Sequence, residues 1–197
     1  MSKMELPFDD LSAQADVNMV GVRDAIASVH VDAKFKVIHD SSHPRHVKIV
    51  RLLKLVGELS DAITPLVACK DGCNHCCKQA VAVNLGEARV ISQRYGIPYT
   101  TPSADALTVE NLKEVQGKYT NVACPFLKDD RCAVYEFRPF ACRMHFNVSN
   151  VSEACDLDKY PEQTVPGLIM GELYPMIWHV SGTAYADIRD WFPPTKE

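Results

Sequence analysis

Eight cysteines crowd into one stretch of this chain. All of them fall between Cys69 and Cys155, and the first four form the run Cys69-xxx-Cys73-xx-Cys76-Cys77. A cysteine density this high is typical of a disulfide scaffold in a short secreted chain, and of metal or redox chemistry in a reducing compartment. The compartment therefore decides what these thiols can do.

The segment before the first cysteine predicts a cytoplasmic location. Residues 1–16 contain one early lysine and then acidic residues, without the apolar core or the small-residue cleavage site of a signal peptide. The longest apolar stretches, residues 17–22 and 62–68, are far shorter than the roughly 20 residues that a membrane helix needs. We therefore expect a cytoplasmic protein whose thiols bind metal or take part in redox chemistry.

Length and charge narrow the classes of function. A chain of 197 residues can bury a core of its own, so its stability does not require disulfides. A net charge of -4 gives no general attraction to nucleic acid or to acidic membranes. We expect no nucleic-acid partner and no membrane contact, and the sequence does not identify a protein partner.

Apolar periodicity predicts two helices before the cysteines. Apolar residues recur at helical spacing from Val17 to about His39 and from about Pro44 to Ala68. The second stretch carries the clearer stripe, which consists of Ile49, Leu52, Leu53, Val56, Leu59 and Ile63. The short segment between the two stretches predicts an antiparallel pair of helices.

Shorter elements are predicted around and after the first cysteines. Residues 79–83 predict a short strand, and Asn84-Leu-Gly-Glu87 has the pattern of a capping box that begins a helix ending near Tyr95. A further helix is predicted from Ser103 or Leu107 to Lys118.

The later part of the chain contains turn and helix signals. Lys128-Asp-Asp-Arg131 predicts a tight turn between two cysteine-bearing arms. Residues 166–191 predict a mostly helical tail that is interrupted or kinked at Pro175.

These patterns predict a mainly α fold with cysteine-rich loops and one short strand pair, in a single compact domain around a metal centre. Residues 1–65 are expected to form an N-terminal helical wrap, and residues 66–156 the cysteine-cluster metal-binding domain. Residues 157–197 are expected to form a C-terminal helical tail that packs on this domain.

The spacing of the first four cysteines favours a metal site. A two-residue gap, as between Cys73 and Cys76, lets a tight turn direct both sulfurs at one ion, and Cys69 can join them from one turn earlier. Cys76 and Cys77 are poor disulfide partners, because adjacent Cα atoms lie about 3.8 Å apart and ordinary disulfides need about 4.4–6.8 Å. If the backbone is extended, their side chains diverge, so one of them can face a different metal, a distant thiol or the core.

The remaining cysteines lie in turn-rich stretches, as is typical of ligands that converge from separate arms of a chain. They are Cys124, Cys132, Cys142 and Cys155. We expect them to return to the region of the first cluster, so that the chain between Cys77 and Cys124 forms a closed excursion beside the site.

The ordered blocks of this segment resemble the CxxCxxCC cysteine-cluster family, a zinc- or iron-chelating domain also called the YkgJ family. The blocks are Cys69-xxx-Cys73-xx-Cys76-Cys77, Glu87 in a helix, Cys124-Pro-Phe-Leu127, Cys132-Ala-Val-Tyr135 and Arg138-Pro-Phe-Ala-Cys-Arg143. The resemblance covers about residues 66–156, and it extends more distantly to the cysteine-rich part of flagellin lysine methylases. It implies a metal centre built from about eight cysteines, namely Cys69, Cys73, Cys76, Cys77, Cys124, Cys132, Cys142 and Cys155.

The metal is expected to be an iron–sulfur cluster or zinc. Eight thiolates satisfy two four-cysteine zinc sites, and they equally satisfy a four-cysteine cluster with thiols to spare. The iron–sulfur cluster is favoured, because adjacent cysteines and uneven gaps fit a compact zinc module poorly. A disulfide-stapled binding module remains a further hypothesis, which the even cysteine count allows and the missing signal peptide opposes.

A metal-dependent enzyme is the alternative function. The distant resemblance suggests a protein methyltransferase, and the thiols suggest a thiol oxidoreductase. The sequence contains no Gly-rich nucleotide loop and no Ser/His/Asp arrangement, so it predicts no catalytic residue.

Four charged or imidazole side chains border the cysteines. Arg138 and Arg143 either bind an anionic substrate beside the centre or serve the loop, by pairing with Asp129, Asp130 or Glu136 or by donating to loop carbonyls, and the second role is favoured. His75 and His145 can replace a cysteine as ligand, but with eight thiols present each is expected to lie outside the ligand set. Glu87 is expected to act as the acid of its capping box.

Overall fold

The helices of the N-terminal part pack around one central helix. The computed structural model describes residues 10–103, 118–119, 121–161, 163–182 and 184–193. The first helices are α1 (Leu11–Val29), α2 (Val31–Asp40) and α3 (Arg45–Ile63). Helices α1 and α2 both pack on α3. Within the described ranges, no helix is long and apolar enough to cross a membrane.

The first predicted helix is broken in two. His30 adopts a left-handed conformation, with φ of 53°, and it separates α1 from α2. A residue in this region cannot continue a right-handed helix, so the chain changes direction there. The apolar periodicity does not reveal this break, because it continues on both sides of it.

The predicted stripe of α3 forms the centre of the core. Its six apolar residues are at most 3 % exposed. They pack in one cluster with apolar side chains of the cysteine segment, including Phe137, Phe140, Met144 and Phe146. The helices and part of the cysteine segment therefore share one apolar cluster, and a second cluster joins the cysteine segment to the C-terminal elements, with Phe126, Val134 and Trp191 among its members.

Helix α4 (Leu85–Tyr95) matches its prediction at both ends. The Asn84 side chain accepts a hydrogen bond from the Glu87 N–H, and Glu87 accepts one from the Asn84 N–H, which completes the capping box. Gly96 follows the helix with φ of 66°, a left-handed conformation that glycine adopts without a Cβ penalty.

The strands form three two-stranded antiparallel sheets in the described residues, where the sequence predicts one strand pair. The pairs are β1 (Ala82–Asn84) with β6 (Tyr185–Asp187), β2 (Leu127–Lys128) with β3 (Arg131–Cys132), and β4 (His145–Asn147) with β5 (Gly167–Ile169). The turn between β2 and β3 lies where the sequence predicts it. Asp129 and Asp130 both have positive φ there, as a tight two-residue hairpin turn requires.

The prediction of a mostly helical C-terminal tail is wrong in part. Two of its segments are strands, and the helices are α6 (Tyr174–Ser181) and the short α7 (Ile188–Trp191), following α5 (Phe140–Arg143). Pro175 lies in the first turn of α6, where its missing N–H is no loss, so it begins a helix instead of kinking one. Apart from Ser103 and Lys118, the helix predicted between these residues lies outside the described residues.

Candidate metal centre

A cavity of about 490 Å³ borders the cysteine segment. Six of the eight cysteines line it: Cys73, Cys76, Cys77, Cys124, Cys132 and Cys142. All eight thiols are free in the structure, and none forms a disulfide. The fold thus gathers thiols from distant parts of the sequence around one space.

Backbone hydrogen bonds join the first cysteine run to the second arm. Residues His75–Lys78 form a single 3-10 turn, which carries Cys76 and Cys77. The Cys124 N–H donates to the carbonyl of Cys77 at 2.7 Å. The chain between these two cysteines therefore starts and ends beside the site. The β2–β3 hairpin then carries Cys132, and α5 carries Cys142.

Cys69 and Cys155 are joined to each other by Asn147, a buried residue of β4. The Asn147 backbone N–H donates to the Cys69 Sγ at 3.3 Å, and its Nδ2 donates to the Cys155 Sγ at 3.3 Å. Its side chain is fixed in turn, because Nδ2 also donates to the Val151 carbonyl and Oδ1 accepts from Ser149. Asn147 therefore supplies two donors to two sulfurs, and no motif of the sequence identified it.

Arg189 of α7 holds the two cysteine arms together. Its guanidinium donates to the carbonyls of Cys77, Gln79, Val122 and Ala123, which lie on both sides of the junction between the arms. Its charge is met by Asp187, whose Oδ1 lies 2.9 Å from the Arg189 Nη1. Asp187 also accepts from the Val81 N–H at 2.7 Å, and both side chains are buried. No sequence motif indicates this clasp, because its four carbonyl acceptors lie more than 60 residues away from Arg189 along the chain.

The thiols are electrostatically coupled. Burial raises the pKa of Cys124 and of Cys155 to about 11, and it raises that of Cys142 well above the ordinary value of 9.0. The pKa of Cys76 is also well above that value, first because of the hydrogen bond with the neighbouring Cys77 thiol and then because of burial. The side chain of Cys76 is exposed, so the neighbouring thiol is the stronger cause.

The coupling divides the cysteines into two groups around Cys76. Like charges raise each other's pKa, so a thiol that responds to a neighbouring thiolate lies close to it. Cys69, Cys73 and Cys155 form one such group, and Cys124, Cys132 and Cys142 form the other. Cys76 is the common neighbour, because its charge raises the pKa of five other thiols: Cys69, Cys73, Cys132, Cys142 and Cys155.

The two arginines near Cys142 have different roles. Arg143 is buried and donates to the loop carbonyls of Tyr135, Glu136 and Arg138, which is the role that the sequence favours. Arg138 lines the cavity, donates to the Ser60 hydroxyl at 3.1 Å and lies 4.1 Å from the Tyr135 ring centroid. No acid of the described residues forms a salt bridge with either arginine.

Glu87 connects α4 to the helix that carries Cys142. Its Oε1 accepts from the Phe140 N–H at 2.8 Å, and the side chain is 1 % exposed. Burial raises the pKa of this carboxyl to about 7, against the opposing effect of its hydrogen bonds and of Arg143. Glu87 caps its own helix, as the sequence predicts. It also anchors the start of α5, which the sequence does not predict.

The donor set fits a thiolate-bound metal in type and number. Soft thiolates are the ligands that zinc and iron–sulfur clusters select. Within the described ranges, no three Cys, His, Asp or Glu side chains stand close enough to hold an ion without moving. His145 lines the cavity and His75 does not border it. Metal binding would therefore require the thiol side chains to move together, on a backbone that already brings them to one place.

Comparison with known proteins identifies the segment that carries these thiols. Residues 68–161 match the family model CxxCxxCC, described as "Putative zinc- or iron-chelating domain". This match confirms the resemblance seen in the sequence, and it spans all eight cysteines. No curated protein and no solved structure matches the chain significantly. The similarity to a zinc- or iron-chelating domain thus covers residues 68–161, which we call the CxxCxxCC segment, while α1 to α3 and the elements from β5 onward lie outside the matched range.

Proposed function

We propose that this protein binds an iron–sulfur cluster in the cytoplasm through the thiolates of its CxxCxxCC segment. The observation that carries the proposal is the convergence of the cysteines, because six of them line one cavity and Asn147 joins the other two, Cys69 and Cys155. A bound cluster supplies one-electron transfer, whereas zinc, the alternative, supplies a structural crosslink.

We assign the cysteines to two sets of four. The first set is Cys69, Cys73, Cys76 and Cys155, and the second is Cys77, Cys124, Cys132 and Cys142. The two coupled groups of thiols support this division, and the hydrogen bond from the Cys124 N–H to the Cys77 carbonyl associates Cys77 with the second set. The adjacent Cys76 and Cys77 would then contribute one thiolate to each set.

The first set is the proposed cluster site. Cys69, Cys73 and Cys76 have a spacing that is also found in three-cysteine cluster motifs, and the fourth ligand would come from Cys155. Asn147 donates to the sulfurs of both Cys69 and Cys155, and hydrogen bonds to ligand sulfurs tune such clusters. The second set would hold a second metal, with Arg189 fixing the backbone on both sides of it.

A thiol oxidoreductase gains no support from the site. A reactive thiol needs a lowered pKa, because the thiolate is the nucleophile. Every cysteine with a resolved shift has a raised pKa instead: Cys69, Cys73, Cys76, Cys124, Cys132, Cys142 and Cys155. Burial keeps these thiols protonated in the absence of a cation, so metal binding would have to release their protons.

The proposal is tested by iron, zinc and acid-labile sulfide analysis of protein purified without oxygen. We expect iron with sulfide in comparable amount. Zinc without sulfide would contradict a cluster and support a zinc site instead. Less than about a tenth of an equivalent of either metal, with eight free thiols, would contradict metal binding altogether, given the tight affinity of thiolate sites.

Serine substitutions test the division of the ligands. Cys73→Ser and Cys155→Ser should remove the same part of the bound metal, and Cys132→Ser and Cys142→Ser should remove the other part. Loss of all metal in each of the four variants would contradict two separate sets and favour a single centre.

A further inference from the structure

One part of the cavity lining contains no cysteines. Beyond the cysteines, the cavity is bordered by apolar and aromatic side chains of the C-terminal elements, namely Ile169 of β5, Tyr174 and Trp178 of α6, and Tyr185 of β6. These residues follow the matched range 68–161, so the family's cysteine motif does not account for them. They give the cavity an apolar wall that thiolate ligation does not need.

The cavity is larger than a metal centre requires. Its volume of about 490 Å³ lies within the range of about 300–1,000 Å³ that is usual for pockets that bind small molecules. Thiolate–metal bonds are only about 2.3 Å long, so a metal and its ligand sulfurs occupy the cysteine side alone. The remaining space can accept an organic molecule.

Exposed apolar side chains are concentrated at this cavity. Among the described residues seven large apolar side chains are exposed, and three of them line it: Tyr135, Ile169 and Trp178. A cluster of exposed apolar residues at a concave surface is typical of a binding site, whereas single scattered ones are ordinary. The body of the bound molecule is therefore expected to be apolar.

One buried polar atom of a lining residue lacks a partner. The Nε of Arg138 is buried without a hydrogen bond in the described part of the chain. Buried polar groups are almost always hydrogen-bonded, so an unpaired donor on a residue that lines a cavity points to a missing acceptor. Arg138 is also held in place by Ser60 and by the Tyr135 ring, which leaves a fixed donor for an anion.

The carboxylates of the lining do not meet this charge. Asp71 faces Arg131 at 3.8 Å, Asp130 accepts from Asn74 at 2.6 Å, and the buried Asp187 pairs with Arg189. Asp71 and Asp130 are exposed, whereas Arg138 is half-buried. The Arg138 charge also acts to lower the pKa of four thiols, so an anionic group bound there would share this cation with the thiolates of Cys69, Cys76, Cys132 and Cys142. Lys70 adds a second cation to the lining.

We propose that this cavity binds a small molecule with an apolar, preferably aromatic, body and one anionic group. The body would lie against Tyr174, Trp178 and Ile169, and the anionic group would accept from Arg138. This inference rests on the proposed function only for the position of the molecule, which would lie beside the metal centre. Binding of the molecule and metal content are measured separately, so either proposal can fail alone.

A pair of fluorescent probes tests the pocket on the protein as isolated. Anilinonaphthalene sulfonate has an aromatic body and an anionic group, and phenylnaphthylamine has the same kind of body without the charge. Titration followed by probe emission should show that the wild type binds the anionic probe at least about fivefold more tightly. Equal affinities would overturn the role of the cation, without the need for any variant.

Three substitutions locate the two contacts. Arg138→Met should lower the affinity for the anionic probe about tenfold and change the affinity for the neutral probe by less than about twofold. Trp178→Ala should lower the affinity for both probes. Arg94→Met is the matched control, because Arg94 lies over the Phe137 ring at 4.8 Å and does not line this cavity. It should change neither affinity.

Two results would overturn the inference. One is an unchanged affinity for both probes in the Trp178→Ala protein, and the other is an equal loss in Arg94→Met and Arg138→Met. Near-ultraviolet circular dichroism of each variant shows whether the fold is kept. If Arg138→Met does not fold, the comparison of the two probes on the wild type and Trp178→Ala decides.

Discussion

Helix α3 and the CxxCxxCC segment are stabilised in different ways, although they share a core. The α3 stripe buries six apolar side chains almost completely, and burial of that kind stabilises a helix without any ligand. Apart from helix α4, the described part of the CxxCxxCC segment has short helices of four residues or fewer and strands of two or three residues, which are tied together by Arg189 from outside the segment and by Asn147 within it. The first region is therefore stabilised mainly by apolar burial, whereas the cysteine-bearing loops of the second depend on a few polar contacts.

Metal removal should produce the largest difference between the two regions, measured as loss of amide protection. Metal binding free energy is folding free energy for ligands carried on loops, so chelation should lower amide protection in residues 68–161 by about a hundredfold or more. Protection in α3 should fall by less than about tenfold. Hydrogen exchange of the metal-loaded and metal-free protein measures both. Equal losses in the two regions would show that the comparison between them is wrong.

Loss of the Arg189 clasp should have the second-largest effect, on both the free energy of unfolding and the bound metal. Arg189→Met leaves Asp187 charged and buried without its partner, which should cost about 3–5 kcal/mol in the free energy of unfolding. It should also lower the bound metal, because four carbonyls of the cysteine arms lose their donor. Denaturant titration and metal analysis measure the two effects.

Two variants serve as controls for the clasp. Leu59→Ala should cost a similar 2–5 kcal/mol, roughly, through the α3 core, yet keep the metal content. Arg131→Met breaks only an exposed pair with Asp71 and should cost at most about 1 kcal/mol. If Leu59→Ala loses as much metal as Arg189→Met, metal loss reflects general stability and the clasp has no special role.

Glu87 should give the unfolding free energy a pH dependence that originates within the CxxCxxCC segment. Its pKa is about 7 in the folded protein against an ordinary 4.5, so between these values the folded chain holds a proton that the unfolded chain has lost. Stability contributed by this group therefore falls as pH rises from about 4.5 to about 7, by up to about 3 kcal/mol.

Glu87→Gln should remove this slope, because the amide does not ionise. Unfolding free energies of the wild type and the variant, measured from pH 4.5 to 7.5, should therefore converge or cross instead of running parallel. The exposed Glu58→Gln, which loses only a surface pair with Lys34, should leave the slope unchanged. Parallel curves for wild type and Glu87→Gln would mean that the buried carboxyl is ionised throughout.

The sequence predicts local elements well where the signal is local. The α3 stripe, the capping box of α4 and the Asp129-Asp130 turn are each encoded within a few residues, and the structure has all three. The break at His30 is also local, but it depends on one left-handed residue that apolar spacing does not register.

The long-range parts of the molecule were not predictable in the same way. Strand β6 pairs with β1 across about 100 residues, and apolar runs such as residues 166–191 fit a helix or a strand equally until a partner is known. The Arg189 clasp and Asn147 are hidden for the same reason. Cysteine spacing indicates the kind of site, but the groups that orient it become visible only in the fold.

The smallest predicted effect concerns Asn147, which lies in strand β4 of the CxxCxxCC segment. Asn147→Asp keeps the acceptor to Ser149 and loses the Nδ2 donor to the Cys155 Sγ, and an ionised carboxylate would also repel the thiolates. Both changes should weaken metal binding, by about tenfold as for other groups that orient metal ligands. Metal transfer to a competing chelator measures it. Asn150→Asp is the matched control, because Asn150 bonds to Asn18 and not to a sulfur. Equal affinities in wild type and Asn147→Asp would show that this donor does not act on the centre.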